Sequence, residues 1–261
     1  MEQSTEADVR KRFRELIERA VSGNYYIFTD FMAPADAQAA FEEAARVAGE
    51  GYGGSPGCVT ADGGREDCER VLLRFGDARD IGYEESFPIR VLRIAPKAPK
   101  FAEQLTHRDF LGALMNLGIE RSAVGDILVH ENTAYAYVVE RLADFMTESI
   151  TRVRHTAVVC ALIDEIPAEA LPDISRQILN VPALRLDSIV ARVFGLSREK
   201  AKNLFAAGNV SIGGRECTSP DRKPAEDDIV SVRGYGKFIF YEVAGETKKG
   251  RLNVEIGRYG K

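Results

Sequence analysis

The sequence predicts an α+β protein in three parts: a mostly helical N-terminal region, a central domain that mixes strands and helices, and a small C-terminal domain of two helices beside a short sheet. Three observations predict it. Apolar residues recur at three- and four-residue steps near the N-terminus, the middle third orders its patterns as strand, helix, strand, strand, helix, strand, and basic side chains gather in the last third. Of 261 residues, 45% are hydrophobic and 29% charged, which supplies a core and excludes a wholly disordered chain. No run of about 18 apolar residues marks a membrane span, and Met1 to Glu15 lacks the apolar stretch of a secretory signal. Cys58, Cys68, Cys160 and Cys217 form no C-x-x-C pair, and only three histidines accompany them, so neither a zinc site nor a disulfide framework is expected. The expectation is a cytoplasmic protein without metal, cofactor or membrane attachment.

The formal charge of −5 hides an asymmetry. Residues 183–261 hold 15 Lys/Arg against 10 Asp/Glu, a balance of +5, which leaves −10 on residues 1–182. A basic terminal domain on an acidic body points to a polyanionic partner for that end.

Element by element, Val9, Phe13, Leu16, Ile17, Ala20 and Val21 trace a helix that Gly23 ends. A second helix starts near Pro34, a residue welcome in a first turn, and stops at Gly49. Gly49 to Gly64 reads as a loop or boundary. It contains Gly49-x-Gly51-x-x-Gly54, but these glycines follow a helix and run into Ser55-Pro56-Gly57, so a dinucleotide site is not expected there. Arg70 to Gly76 reads as an edge strand of the middle domain. Ile89 to Ala95 is a strand, Leu105 to Leu117 a helix ended by Gly118, and Ile127 to His130 and Thr133 to Val139 are strands around the turn Glu131-Asn132. Arg141 to Ile150 reads as helix and His155 to Ile163 as strand. This βαββαβ order is the ferredoxin-like arrangement that RNA-recognition motifs also use. Pro167, Pro172 and Pro182 mark a linker-like stretch. The expected boundaries are 1–68, 69–165, a linker at 166–182, and 183–261.

Catalytic motifs find no foothold. His107-Arg108-Asp109 resembles a kinase catalytic loop, but Leu114 stands where that loop needs Asn. Thr106 with Asp109 three residues later fits a helix cap instead. No G-x-S-x-G, H-E-x-x-H or P-loop is present. Tyr135 and Tyr137, two apart in a strand, share one sheet face and are candidates for stacking on RNA bases, with burial in the core as the alternative.

The C-terminal domain is the most specific part. Leu186, Ile189, Val190 and Val193 make an apolar stripe that Gly195 ends. Ser197 caps a second helix in which Ala201, Leu204 and Phe205 face inward, while Arg198, Lys200 and Lys202 stay free. Gly208, the strand Val210 to Ile212, the turn Gly213-Gly214, Pro220, and the strand Ile229 to Arg233 follow. Arg185-Leu186-Asp187, Gly195-Leu196-Ser197-Arg198, Ala201, Leu204, Gly208, Val210, Ile212, Gly214, Pro220 and Asp228-Ile229-Val230 resemble the S4 (alpha-L) RNA-binding domain; Gly213 stands where that family often has Asn. The resemblance implies that Arg185, Ser197 and Arg198 lie on an RNA-binding face. Asp187, Arg192, Lys202, Arg215, Arg233 and Lys237 complete the candidate RNA-binding set.

A wider resemblance covers nearly the whole chain. His107 to Ile119 (HRDFLGALMNLGI), Gly125-Asp126-Ile127 and Ser231 to Phe238 (SVRGYGKF) are similar to signatures of the bacterial YlmH family. That resemblance implies an N-terminal helical region, a ferredoxin-like RNA-binding domain and a C-terminal S4 domain. It further implies RNA partners on the large ribosomal subunit, ribosomal RNA or tRNA, in ribosome-associated quality control. The expected protein is non-catalytic and a monomer when free. Two rival functions stay open: an RNA-modifying enzyme that uses the S4 domain for targeting, and an interaction protein of cell division.

Overall fold

The structure, a computed structural model, describes residues 6–49, 58–65, 67–213 and 215–260, without the side chains of residues 6, 7, 34, 35 and 215. It separates into two compact units, Met1–Leu171 and Pro172–Lys261. Most of the Gly49-x-Gly51-x-x-Gly54 stretch lies outside the described residues.

The first unit opens with α1 (Glu6–Gly23) and, after the short strand β1 (Ile27–Phe28), α2 (Pro34–Gly49). Phe13, Ile17 and Ala20 of α1 meet Ala37, Ala40, Ala44 and Val47 of α2, the small alanines letting the helices approach closely. Glu43 of α2, fully buried, accepts from Arg14 at 3.1 Å and Arg46 at 2.6 Å. Two more strands, β2 (Val59–Asp62) and β3 (Leu72–Phe75), complete an antiparallel sheet of order β1-β3-β2. Two expectations change here. Residues 59–62, read as loop, form a strand, and the stretch Arg70 to Gly76 supplies the central strand of this N-terminal sheet. The reason is burial on both faces: Leu72, Leu73 and Phe75 are all fully buried, which an edge position would not need. A single-turn helix, α3 (Ala78–Ile81), follows, capped by Asp77.

The central domain runs β4 (Ile89–Pro96), α4 (His107–Met115), β5 (Val124–His130), β6 (Thr133–Val139), α5 (Glu140–Ser149), β7 (Arg152–Val153) and β8 (Thr156–Ile163). Its antiparallel sheet has the order β5-β6-β4-β8-β7, the split βαβ topology with a short hairpin strand added at one edge. The turn between β5 and β6 uses Glu131 and Asn132 at positive φ, as a tight hairpin requires. The Asn132 side chain secures it by accepting from the Leu105 N–H and donating to the Glu103 carbonyl. Thr106 and Asp109 form the expected capping box on α4. Phe110, Leu114 and Met146 of the two helices bury Leu92, Ile94 and Ala136 beneath them.

The second unit contains β9 (Ile174–Val181), α6 (Leu186–Phe194), α7 (Arg198–Ala206), β10 (Val210–Ile212), β11 (Arg215–Glu216), β12 (Asp228–Val232), β13 (Gly236–Glu246) and β14 (Leu252–Tyr259). Its antiparallel sheet has the order β11-β10-β12-β13-β14-β9. Residues 174–181, inside the stretch read as linker, are thus an edge strand paired with β14 along eight residues. Leu186, Ile189, Val190, Val193, Ala201 and Phe205 of the helices cover Val230, Phe238, Val254 and Ile256 of the sheet. Gly195 ends α6 in the left-handed conformation, φ +65°, which a side chain would resist.

Candidate nucleic-acid interface

The first turn of α6 places the candidate residues. Arg185 is its N-cap, a poor choice by side chain because arginine has no acceptor for the exposed amides. Carbonyls from a distant loop take that role: the N–H of Leu186 donates to Arg222 and that of Asp187 to Pro220. This contact buries Asp187 completely. The Arg185 guanidinium then grips the carboxylate with two bonds, Nε to Oδ1 at 3.1 Å and an Nη to Oδ2 at 3.2 Å. Arg198, on the first turn of α7, adds Nε to Oδ2 at 3.3 Å, and the Ser188 hydroxyl donates to Oδ1 at 3.2 Å. Burial pushes the Asp187 carboxyl upward, but the bonds from Arg185 and Arg198 outweigh it and hold it below the ordinary aspartate value. One buried anion therefore fixes two guanidiniums from two helices, each still open to solvent on its far side.

Ser197 serves as the N-cap of α7, its hydroxyl accepting from the Lys200 N–H. Arg192 is exposed on α6 and lines, with Arg198, Pro182 and Gly195, a shallow cleft of about 400 Å³ between the helices. Lys202 follows Arg198 by one turn on α7 and is exposed. The structure thus brings Arg185, Arg192, Ser197, Arg198 and Lys202 together. The remaining candidates do not join this exposed group. Asp187 has no exposed surface, so it touches no ligand and instead orients two that can. Arg233 is exposed beyond the end of β12. Lys237 projects from the sheet face opposite the helices, where its ammonium lies 4.5 Å from the Tyr259 ring. The Arg215 side chain lies outside the described residues.

Sequence reasoning missed the aromatic support beside this face. Phe194 meets Tyr235 at 5.9 Å and Phe238 at 6.1 Å between ring centres, Lys200 lies over Tyr235, and Arg258 over Phe194. The run Gly234-Tyr235-Gly236 was its one available signal.

Tyr135 and Tyr137 do share a sheet face, but stacking on RNA is not what that face offers. They are 7% and 4% exposed, packed in one core with Phe31, Cys68 and Leu72 from the N-terminal elements. The Tyr137 ring fills the space where a side chain at Gly64 would stand, and burial pushes its hydroxyl up to about 12. Neither ring has a free face for a base.

Among the described residues, no cluster of three or more metal-ligating side chains exists, and no helix is long and apolar enough to cross a membrane. Residues 83–166 match the family model described as "Putative RNA-binding domain in YlmH". The chain is 32% identical over 179 residues to the ribosome-associated protein quality control protein P2 of Bacillus subtilis (strain 168), an alignment spanning 67% of this chain and 68% of the relative. Among solved structures, it is similar to the cell division protein ylmH from Streptococcus pneumoniae, with a TM-score of 0.47 and 21% identity over 63% of this chain and 96% of the other.

Proposed function

The chain belongs to the YlmH family, and from that membership we propose that it is a non-catalytic RNA-binding protein acting on the large ribosomal subunit. Its ligand is structured RNA, ribosomal RNA or tRNA, and its cellular role is ribosome-associated quality control in the cytoplasm, the process named for the Bacillus subtilis relative. The second unit acts as an S4 domain and supplies the main contact. The observation that carries this reading is the pair Arg185 and Arg198 held in register by buried Asp187, flanked by Arg192 and Lys202 on the same two helices. Guanidiniums fixed in direction meet phosphate oxygens with two parallel bonds and little further ordering cost. Ser197 keeps α7 in place beside them, and the acidic first unit adds no general attraction to RNA.

The test is the full-length Arg192→Glu/Lys202→Glu variant, because both side chains are exposed and among the described residues no hydrogen bond or ion pair holds either. Pelleting with purified large ribosomal subunits across a salt series should show at least a tenfold loss of affinity. The salt dependence should also become shallower, since fewer counterions are released. Circular dichroism should stay unchanged. Wild-type affinity and salt slope in this variant would overturn the assignment of this face.

A further inference from the structure

A second basic site lies in the central domain. We infer that the cleft between α4 and the β7–β8 hairpin binds the phosphate backbone of a single RNA strand. This rests on RNA being the protein's ligand but uses none of the side chains of the C-terminal face. The cleft measures about 450 Å³. Arg108 and Gly112 of α4 and Asn116 at its C-cap line one side at four-residue steps. Across from them stand Thr151, Arg152 and Arg154. Three guanidiniums face a single lining carboxylate, Asp109, which the Thr106 hydroxyl and Arg154 already engage, and Glu103 beside the cleft pairs with Arg154 as well, so the free positive charge is that of Arg108 and Arg152. Arg108 makes no hydrogen bond or ion pair among the described residues, and the Arg152 guanidinium donates only to the nearby His155 carbonyl. So concentrated a positive site stands out on residues whose total charge is −10.

Three local choices here work against folding. Arg108 puts a cation in the first turn of α4, where the helix dipole favours an anion. Gly112 sits mid-helix although a Cβ there would meet nothing within 4 Å, so packing does not require it. Arg154 occupies the hairpin turn at φ +51°, a position that glycine fills without strain. Each is unfavourable alone, and all three converge on one cleft, as expected of a site kept for a ligand. Gly112 lets a backbone approach the helix closely, the guanidiniums suit phosphate oxygens, and the Asn116 amide with the Ser149 and Thr151 hydroxyls suits a 2′-hydroxyl. These neutral donors favour RNA over an acidic peptide.

The experiment uses the full chain and a 20-nucleotide polyuridine carrying 4-thiouridine, read by affinity across a salt series and by mapping crosslinked peptides. Arg108→Glu/Arg152→Glu should weaken binding at least fivefold, flatten the salt slope, and remove crosslinks in residues 105–117 and 149–155 while crosslinks in the second unit persist. Gly112→Leu adds bulk without charge and improves helix propensity, so it should weaken binding without lowering the melting temperature. Crosslinks at the cleft without any in the second unit would defeat the proposed function alone. Wild-type affinity in both cleft variants, crosslinks confined to the second unit, or equal displacement by polyglutamate would overturn the cleft as an RNA site.

Discussion

Replacing Asp187 by Asn separates its orienting role from direct RNA contact. The substitution keeps shape and one acceptor oxygen but removes the charge that holds Arg185 and Arg198. Three charge-assisted bonds weaken, counting both from Arg185 and one from Arg198. Bonds to charged groups contribute about 1.5–3 kcal/mol each in favourable settings. Here the arginine side chains are 32% and 54% exposed, so water replaces part of each, and the loss stays below the ~3–5 kcal/mol of a wholly buried pair. A cost of about 2–3 kcal/mol follows, or roughly 10–20 °C in melting temperature for a unit of this size. Acid gives a second readout. The carboxyl is held below its unfolded value, so the unfolded chain binds more protons in acid. The contribution is complete above about pH 4 and is lost as pH falls through the folded value. Hydrogen exchange of the α6 and α7 amides at pH 7 and pH 3.5 should therefore show faster opening in the variant at pH 7 and a smaller further change on acidification. Affinity for large ribosomal subunits should fall although no ligand-contacting atom has been removed. Wild-type exchange at pH 7, or parallel acid responses in the two proteins, would refute the reasoning.

Tyr137→Ala should cost the first unit about 3–5 kcal/mol by emptying the space over Gly64, as large aromatic truncations in cores do. Chemical denaturation measures that loss, and RNA affinity of the folded fraction should stay unchanged. Arg74→Ala should lower the first unit's stability by about 2–4 kcal/mol, because this nearly buried guanidinium bonds Thr60, Glu84 and the Glu85 carbonyl and lies over Tyr26 and Phe87. Urea unfolding followed by circular dichroism checks it, and Arg74→Lys should recover only part of the loss because one ammonium does not reproduce the planar fork.

Local chemistry was readable from the sequence, and long-range closure was not. Ser197, Gly195, Thr106 and the Glu131-Asn132 turn act through neighbours a few residues away, so caps and turns appear in the structure where the sequence places them. The two-residue step put Tyr135 and Tyr137 on one face, but what covers that face comes from Gly64, Cys68 and Leu72, far back in the chain. From the sequence, Arg185 reads only as part of an RNA-binding face. The loop carbonyls of Pro220 and Arg222 bury Asp187 beneath it, so a glutamate at 185 would meet a buried carboxylate. In β9 the apolar residues divide between faces, Leu179 and Val181 inward and Ile178 65% exposed, which hides the strand beneath a polar, proline-flanked surface. The Leu252, Val254, Ile256 alternation is the two-residue period of β14, the one sequence signal of this pairing.

The pairing of β9 with β14 joins the beginning of the second unit to its end: Ile174 lies opposite Tyr259, and the Gly260 N–H donates to the Asp173 carbonyl at 2.7 Å. During synthesis, therefore, the strand made first waits for the strand made last. Two whole helices and four strands emerge before its partner exists, and closing that long loop carries an entropic cost that the final contacts alone offset. A chain stalled before Leu252 exposes one flank of the unfinished sheet, and synthesis of Leu252–Tyr259 is the event that seals it. The same geometry makes the unit's ends interchangeable: a circular permutant that joins 174 to 259 and opens at the Glu246–Arg251 hairpin keeps every strand pairing while letting β9 and β14 form as neighbours in the chain.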